Sequence, residues 1–254
     1  YLLTYPVLCR VRPDGSGEQD IKSSLIQRYG GKTFFWMRHP SISPDGSTAA
    51  MISDGPTDPG FSDSVLSFIS LAGGAFENTP ELPDVTPLGH SEPAYSPDGK
   101  LVAYVEEGRN GDIGDPSIWL YDTARRTARV LARGYRQPAW SPDGEYLAVT
   151  KSGSSRPDIA VIDASTGSLI GQVTGDGASW SPVWSPAGDS LIYMNIQGSV
   201  ARLRMVRISV SAAQVSSSIA TWAGDYSGLD PGSAAAWYIP DLPGASSSPL
   251  GDMP

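Results

Sequence analysis

Short apolar segments separated by glycine- and proline-containing turns run along the whole chain, a pattern that predicts β-strands rather than helices. Four of the turns are close copies of one tetrapeptide: Ser43-Pro44-Asp45-Gly46, Ser96-Pro97-Asp98-Gly99, Ser141-Pro142-Asp143-Gly144 and Ser185-Pro186-Ala187-Gly188. The serines are separated by 53, 45 and 44 residues. A repeat of this length predicts a series of small sheets, one per repeat, that pack against their neighbours.

The residues around the turns form columns of equivalent positions. Three residues before each serine stands a proline: Pro40, Pro93, Pro138 and Pro182. Directly before each serine stands a large apolar residue: Ile42, Tyr95, Trp140 and Trp184. After each glycine, an apolar strand carries at two successive positions Ala50 and Met51, Ala103 and Tyr104, Ala148 and Val149, and Ile192 and Tyr193. Such columns indicate that the repeats pack in equivalent surroundings.

The turn itself has a geometric explanation. Proline fixes φ near −65°, aspartate can bond the backbone that follows, and glycine accepts a positive φ. The sequence therefore predicts that the four turns set the register of the strands and carry no chemistry.

The two ends of the chain carry incomplete repeats. Residues 7–11 and the turn at 13–17 predict a hairpin, which would be the outer half of a blade. Pro231 follows Pro186 by 45 residues and starts a degenerate fifth copy, with an exit strand ending at Ile239. Pairing the two ends would close a ring and protect its edges. We therefore predict an all-β fold, a β-propeller of four-stranded blades, with five blades visible and six if the chain is longer. Residues 1–240 form one propeller domain and residues 241–254 a Pro/Ser-rich tail.

Composition excludes some functions. The net charge of −9 disfavours a phosphate-backbone binder, so no nucleic acid partner is expected. The single cysteine, Cys9, cannot form an internal disulfide, and its apolar neighbours predict a buried structural thiol. The sequence contains no run of 18 apolar residues, so no membrane span is predicted. The first residues do not match a signal peptide, so we expect that a signal was already removed or that the chain is incomplete.

The repeat resembles a known family. An aromatic residue, the tetrapeptide, a strand, a loop and an apolar strand ending in aspartate occur together from Trp140 to Asp163 and from Tyr95 to Asp122. This pattern is similar to the WD-like propeller repeats of the TolB family, and to propeller domains of prolyl-oligopeptidase-type and tricorn-type peptidases. The resemblance covers residues 7 to about 240. It implies a periplasmic or otherwise extracytoplasmic protein that binds other proteins in an envelope complex.

Catalytic and metal motifs are weak. The chain has no Gly-x-Ser-x-Gly elbow and only two histidines, His39 and His90, so neither a triad nor a multi-histidine metal site is predicted. Two acidic stretches could be interpreted as calcium loops, although ordinary turns explain both better. They contain Asn110, Asp112 and Asp115, and Asp54, Asp58 and Asp63. No cofactor and no metal are predicted.

Two groups of residues are candidates for binding a partner. In a propeller, the loops that enter the inner strands share one face with loops that leave the next strands, and that face would collect Trp36, His90, Glu92, Tyr135, Arg136 and Trp180. A basic run on this acidic chain contains Arg125, Arg126, Arg129, Arg133 and Arg136, and a smaller one Arg202, Arg204 and Arg207. The first run is either a solvated outer face or a docking patch for an acidic partner or anionic headgroups, with Arg125, Arg126 and Arg129 at its centre.

Three functions follow from these patterns. The first is a non-catalytic scaffold or accessory subunit that binds another protein in the bacterial envelope. The second is a hydrolase or lyase that uses carboxylates or a histidine at the propeller mouth. The third is a carbohydrate-binding propeller, which ranks last because the columns that repeat are apolar and not sugar-binding residues.

Overall fold

A computed structural model describes residues 9–12, 14–20, 37–53, 64–71, 76–77, 89–108, 116–152, 156–198, 200–211, 214–217 and 221–224. Every regular element in these residues is a β-strand, as predicted. The first two, β1 (Cys9–Arg10) and β2 (Gln19–Asp20), pair antiparallel as a separate two-stranded sheet. The predicted N-terminal hairpin is therefore confirmed.

The other described strands form four antiparallel sheets, which we call blades I to IV. Blade I contains β3 (Met37–Ile42), β4 (Thr48–Ser53), β5 (Val65–Ser70) and β6 (Phe76–Glu77). Blade II contains β7 (His90–Tyr95), β8 (Leu101–Glu106), β9 (Ser117–Asp122) and β10 (Thr127–Arg133). Blade III contains β11 (Tyr135–Trp140), β12 (Tyr146–Lys151), β13 (Asp158–Asp163) and β14 (Leu169–Gln172). Each blade is a meander, because its strands pair in sequence order.

Blade IV has a divided outer edge. It contains β15 (Ser179–Trp184), β16 (Ser190–Gln197), β17 (Val200–Ser211), β18 (Gln214–Ser217) and β19 (Thr221–Gly224). The long strand β17 pairs with β16 on one side. On its other side, β19 pairs near the start of β17 and β18 pairs near its end. The fourth strand position of this blade is therefore shared by two short strands.

The predicted count of five blades, or six in a longer chain, is wrong for the described residues, which form four. The degenerate copy at Pro231 and the tail at 241–254 lie outside the described residues. Spacing and an apolar exit strand located that copy, but Asp230 stands where each observed turn has its serine. The hairpin of β1 and β2 forms its own small sheet and adds no strand to a described blade.

The prediction of a buried thiol at Cys9 is also wrong, because Cys9 is exposed and Val11 is 54% exposed. Apolar neighbours in sequence indicate a strand, but burial requires a second layer over it. A two-stranded sheet offers little such cover.

The apolar core lies between neighbouring blades. One cluster joins blades I and II, a second joins blades II and III, and a third joins blades III and IV. The predicted columns lie in these clusters or beside them: Ala50, Ala103 and Ala148 are fully buried, as are Met51 and Val149. This arrangement confirms that the repeats occupy equivalent surroundings.

The serine of each turn holds the turn together. Ser141 Oγ donates to Asp143 Oδ1 at 2.5 Å and accepts the Tyr146 N–H at 3.0 Å. The Ser141 N–H donates to the Tyr146 carbonyl at 2.9 Å. The turns of blades I and II repeat these contacts. One hydroxyl therefore joins the turn to the first residue of the following strand.

The fourth turn reaches the same geometry with a different residue. Ala187 cannot accept the serine proton, and Asp189 takes that role, accepting from Ser185 Oγ at 3.0 Å. In the first two turns, hydrogen bonds lower the pKa of the aspartate to about 2, with Ser43 as the main donor to Asp45 and Lys100 as the main donor to Asp98. Both carboxylates are therefore ionised, and both accept hydrogen bonds from residues of their own turns.

Consecutive turns stack on one another. A Cβ built on the turn glycine would lie 3.4 to 3.7 Å from the proline Cδ of the preceding blade's turn. The pairs are Gly99 with Pro44, Gly144 with Pro97, and Gly188 with Pro142. Each of these glycines has φ between +71° and +76°, a region that other residues avoid.

We expect Ser141→Ala to lower the free energy of unfolding by about 1–3 kcal/mol, because the buried Ser141 hydroxyl is the shared partner of the Tyr146 N–H and the Asp143 carboxylate. Ser168→Ala is the matched control, since Ser168 is an exposed turn residue, and it should change stability by less than about 0.5 kcal/mol. Urea unfolding of both variants measures the difference. Equal effects would mean that the hydroxyl does not organise the turn.

Candidate functional site

The first strand of every blade carries a β-bulge at the same place. The residue before the column proline has a left-handed backbone in all four blades: His39 (φ 53°), Glu92 (53°), Gln137 (52°) and Ser181 (51°). The strand register shifts at these positions. Such a conformation costs a non-glycine residue about 1–3 kcal/mol and occurs often at binding sites. We call the end of the blades where the first strands begin the mouth.

Side chains of one blade satisfy the bulge of the next. The Gln137 N–H donates to Glu92 Oε2 at 2.7 Å. The Ser181 N–H donates to Gln137 Oε1 at 2.9 Å and to Thr150 Oγ1 at 3.1 Å, and Thr150 Oγ1 donates to Gln137 Oε1 at 2.8 Å. These cross-blade bonds pair backbone groups that the bulges remove from the strand ladders.

An ion pair also joins blades II and III at the mouth. Arg136 binds both carboxylate oxygens of Glu107, with Nη1 2.8 Å from Oε1 and Nη2 2.5 Å from Oε2. Ser91 Oγ donates to the same carboxylate at 2.6 Å. The side chains of Arg136 and Glu107 are only 22% and 14% exposed, so this bidentate pair is screened little by solvent.

Glu92 has a carboxyl group at the mouth whose pKa is shifted from its ordinary value. Burial raises its pKa, and the hydrogen bond from the Gln137 N–H and the charge of Arg136 offset part of that effect. Structurally, Glu92 fixes the neighbouring bulge. Chemically, a desolvated carboxyl group of this kind could also exchange a proton.

His90 has a different position from the one expected for a binding residue. It is only 2% exposed, its Nδ1 accepts the Leu66 N–H at 3.1 Å, and its ring contacts Tyr104 edge-on at 4.9 Å. Burial lowers its pKa to about 4. His90 is therefore a neutral core histidine that connects blades I and II, and a partner could not reach it in this conformation.

The remaining predicted mouth residues are divided between described and undescribed parts of the chain. Tyr135 and Trp180 are half-buried near the starts of β11 and β15. Exposed Lys151 stands opposite Tyr135 in the strand ladder, and His39 is also exposed. Trp36 lies outside the described residues.

Blade IV contributes a polar group to the same end. Asn195 Nδ2 donates to Asp176 Oδ2 at 2.7 Å and to Ser179 Oγ at 3.0 Å. Ser179 Oγ in turn donates to Asp176 Oδ1 at 2.9 Å. The start of β15 is therefore fixed by side chains, as the starts of the other inner strands are.

The centre of the predicted basic run lies at the opposite end of the blades, whereas its last member, Arg136, lies at the mouth. Arg125 and Arg126 occupy the turn between β9 and β10, and Arg129 lies on β10. Arg125 Nη1 binds Asp122 Oδ2 at 2.8 Å, and Arg129 Nη2 donates to the Ser165 carbonyl of blade III at 3.0 Å. Of the predicted site residues, the structure brings Glu92 and Arg136 together and separates them from this patch.

Sequence reasoning missed Gln137, Ser181, Thr150 and Glu107 as parts of the site. The signal for the first two was present, because they occupy the column directly before the aligned prolines. Thr150 and Glu107 gave no signal, since they reach the mouth only through strand pairing and a turn.

Within the described ranges, no cluster of three or more histidine, cysteine, aspartate or glutamate side chains could hold a metal ion. The candidate calcium loops fall outside those ranges. In the same part of the chain, no helix has the length and apolar character required to cross a bilayer.

Comparison with solved structures identifies the architecture. TolB from Acinetobacter baumannii aligns with a TM-score of 0.61 at 17% sequence identity, over 83% of this chain and 48% of its own. A protein described as TolB from Agrobacterium tumefaciens aligns with a TM-score of 0.57 at 19% identity, over 74% of this chain and 67% of its own. The fold is a TolB-like β-propeller.

The TolB-like architecture is shared with enzymes. Oligogalacturonate lyase from Vibrio parahaemolyticus aligns with a TM-score of 0.53 at 16% identity, over 80% of this chain and 55% of its own. No protein-family model and no curated protein sequence matches the chain. The chain spans about half the length of the Acinetobacter and Vibrio proteins, and these identities establish the fold alone.

We predict that His90 makes the TolB-like propeller less stable in mild acid. The pKa of His90 is about 4 in the folded state and near 6.5 when unfolded, so the unfolded chain binds the extra proton between these values. Stability should therefore fall as the pH drops from about 6.5 to about 4, by up to about 3 kcal/mol.

Urea unfolding across this pH range tests the prediction. His90→Asn should be less stable than the wild type at pH 7 but should depend less on pH. Burial and the charge of Arg38 also lower the pKa of His39, but by less than at His90, so His39→Asn should keep most of the wild-type slope. An unchanged slope in His90→Asn would assign the acid sensitivity to other groups.

Proposed function

We propose that this protein is a non-catalytic scaffold that binds another protein through the mouth of its propeller. The observation that supports this most directly is the set of cross-blade bonds. The side chains of Glu92, Gln137, Thr150 and Arg136 each form a hydrogen bond to a neighbouring blade, which makes the mouth a rigid surface. A rigid surface loses little conformational entropy on binding.

The composition of the mouth also favours a protein partner. Half-buried Tyr135 lies opposite exposed Lys151, and half-buried Trp180 and exposed His39 are on first strands at the same end of the blades. Aromatic residues with a polar rim are typical of interface hot spots. The partner would be a protein of an envelope complex, and the propeller would act outside the cytoplasm. The TolB-like fold and the repeat resemblance support this location.

An enzyme that works at the mouth is the second candidate. The raised pKa of the Glu92 carboxyl favours it, since a desolvated carboxyl group can act as a general acid or base. One of the solved structures with a similar fold is an oligogalacturonate lyase, which supports a carbohydrate as the substrate of this second candidate. Glu92→Gln separates the two functions, because glutamine can still accept the Gln137 N–H but cannot exchange a proton.

We expect Lys151→Glu to reduce recovery of the partner by about tenfold or more, since it reverses a charge at the rim of the interface. The measurement is cross-linking of the affinity-tagged protein in its native cells, followed by identification and quantification of the captured protein. Lys100→Glu is the matched control, because Lys100 is an exposed lysine that pairs with Asp98 at the opposite end. It should leave recovery unchanged.

Equal losses in both lysine variants would contradict a site at the mouth and would indicate general charge attraction. The enzyme alternative is tested on the same preparations with glycan and peptide substrates. Turnover in the wild type that disappears in Glu92→Gln, without a change in melting temperature, would replace the scaffold proposal with catalysis. Turnover that survives in Glu92→Gln would exclude Glu92 as its acid or base.

A further inference from the structure

A cleft of about 350 Å³ opens between blades I and II at the turn end, opposite the mouth. It lies where the turn of Ser43 meets the turn of Asp98 and Gly99. A volume of this size matches the lower range of small-molecule sites. The cleft shares no residue with the cross-blade bonds of the mouth.

A change in one column explains why the cleft lies at this junction. At the next two junctions the residue before the serine is tryptophan, whose indole N–H donates to a carbonyl of the preceding blade. Trp140 Nε1 reaches the Ala94 oxygen at 3.0 Å and Trp184 Nε1 reaches the Ala139 oxygen at 3.1 Å. Between blades I and II this residue is Tyr95, which is smaller and has no such N–H. The space that an indole fills elsewhere is left open.

The cleft has an aromatic floor. Phe68 and Tyr121 are buried, with ring centroids 5.3 Å apart, and the Tyr95 ring meets Phe68 edge-on at 6.3 Å. Thr48 and Thr123 add hydroxyl groups to the walls. A flat apolar group could pack on these rings.

Arg126 supplies a positive charge at the edge of the cleft. The other arginines of its basic run all bond protein groups through their guanidinium: Arg125 with Asp122, Arg129 with Ser165, Arg133 with Ser117, and Arg136 with Glu107. Among the described residues, the Arg126 guanidinium forms neither a hydrogen bond nor an ion pair. Four arginines of the run therefore bind groups of the protein itself. Arg126 is the member whose guanidinium N–H groups can bind a ligand.

Arg126 has a left-handed backbone conformation that would be less strained with a glycine at this position. Its φ is 56°, and its N–H donates to the Asp122 carbonyl at 2.8 Å. In blade III the equivalent residue is Gly167, with φ 75° and the same bond to the Asp163 carbonyl. Glycine adopts this conformation without strain and arginine does not. An arginine here has a stability cost that a glycine would avoid.

The two aspartates beside the cleft restrict the charge of a ligand. Asp45 accepts from Ser43 and Ser47, and Asp98 accepts from Ser96 and Lys100. Both are ionised and already bonded, so they would repel a multiply charged anion such as phosphate. A single carboxylate facing Arg126 remains compatible with them, because Arg126 can form two parallel hydrogen bonds to it.

We propose that this cleft binds an aromatic group that carries one carboxylate, with the ring on Phe68, Tyr95 and Tyr121 and the carboxylate on Arg126. Two sources have this chemistry: a free aromatic acid, and the C-terminal residue of a peptide. The site is separate from the mouth and does not depend on the scaffold function.

Isothermal titration calorimetry with two matched probe pairs tests the proposal. The first pair is 3-phenylpropionate and its amide, and the second is acetyl-Ala-Phe with a free or an amidated C-terminus. Each acid should bind at least about tenfold more tightly than its amide, since only the acid can form charge-assisted bonds with Arg126. Binding of the first acid alone assigns the site to free acids, and binding of the second alone assigns it to peptide ends.

Two variants remove the site without harming the fold. Arg126→Gly copies blade III and should weaken the acid by about tenfold or more while the melting temperature stays the same or rises. Tyr95→Trp copies the other junctions and should fill the cleft, with the same loss of binding and no loss of stability. Arg125→Ala is the control, because it removes an equal charge from the same turn outside the cleft.

The proposal is overturned if neither acid binds, or if acids and amides bind equally. It is also overturned if Arg125→Ala weakens binding as much as Arg126→Gly, because that result would indicate general charge attraction. Unchanged affinity in Tyr95→Trp would place any binding outside the cleft.

Discussion

The hydrogen bonds of the turn serine are the interaction on which the rest of the propeller depends. The hydroxyl of Ser141, like those of Ser43 and Ser96, joins the turn aspartate to the first residue of the next strand. The bulge residue lies four positions before the serine in every blade, as Gln137 lies before Ser141. Because a strand shifted by one residue turns its side chains to the opposite face, the turn also decides which side chains reach the mouth.

The two ends of the blades are held together differently. At the mouth, polar side chains bond across blades, as Glu92 does to the Gln137 N–H, so no blade can be altered there without affecting its neighbour. At the turn end, the bonds of the turn serines lie within each turn, and neighbouring turns meet through glycine and proline contacts. Single polar bonds add to these at each junction: the Tyr95 N–H to Ser41 Oγ, an indole N–H at each of the next two junctions, and Arg129 to the Ser165 carbonyl. Replacing that indole, as Tyr95 does, opens a cleft while both turns remain intact. The mouth is therefore suited to a rigid interface and the turn end to local variation.

The repeat allowed the architecture to be predicted from the sequence, but it allowed only part of the candidate site to be predicted. Strand order, the turns and the buried columns follow from local sequence, because proline, glycine and serine act on their own neighbours. Burial of His90 and exposure of Cys9 could not be predicted, since each depends on whether a second layer covers the residue. The sequence indicated Arg126 only as one member of a run of arginines. Its distinction from Arg129 arises from the Ser165 carbonyl, which only the neighbouring blade supplies, whereas Arg125 bonds Asp122 in its own turn.

A repeat protein provides its own reference for judging an unusual residue. Ala187 departs from the turn pattern, but Asp189 restores the bond to Ser185, so that departure changes nothing in the fold. Tyr95 and Arg126 also depart from their equivalents, Trp140 and Gly167. At Tyr95 a different cross-blade bond is present, from its N–H to Ser41 Oγ at 3.0 Å, whereas Arg126 holds at φ 56° a conformation that Gly167 adopts without strain. Departures that lower stability without compensation concentrate at functional sites. The strained Arg126, at the edge of the cleft that Tyr95 leaves open, is therefore better explained by what the cleft binds than by how the blades fold.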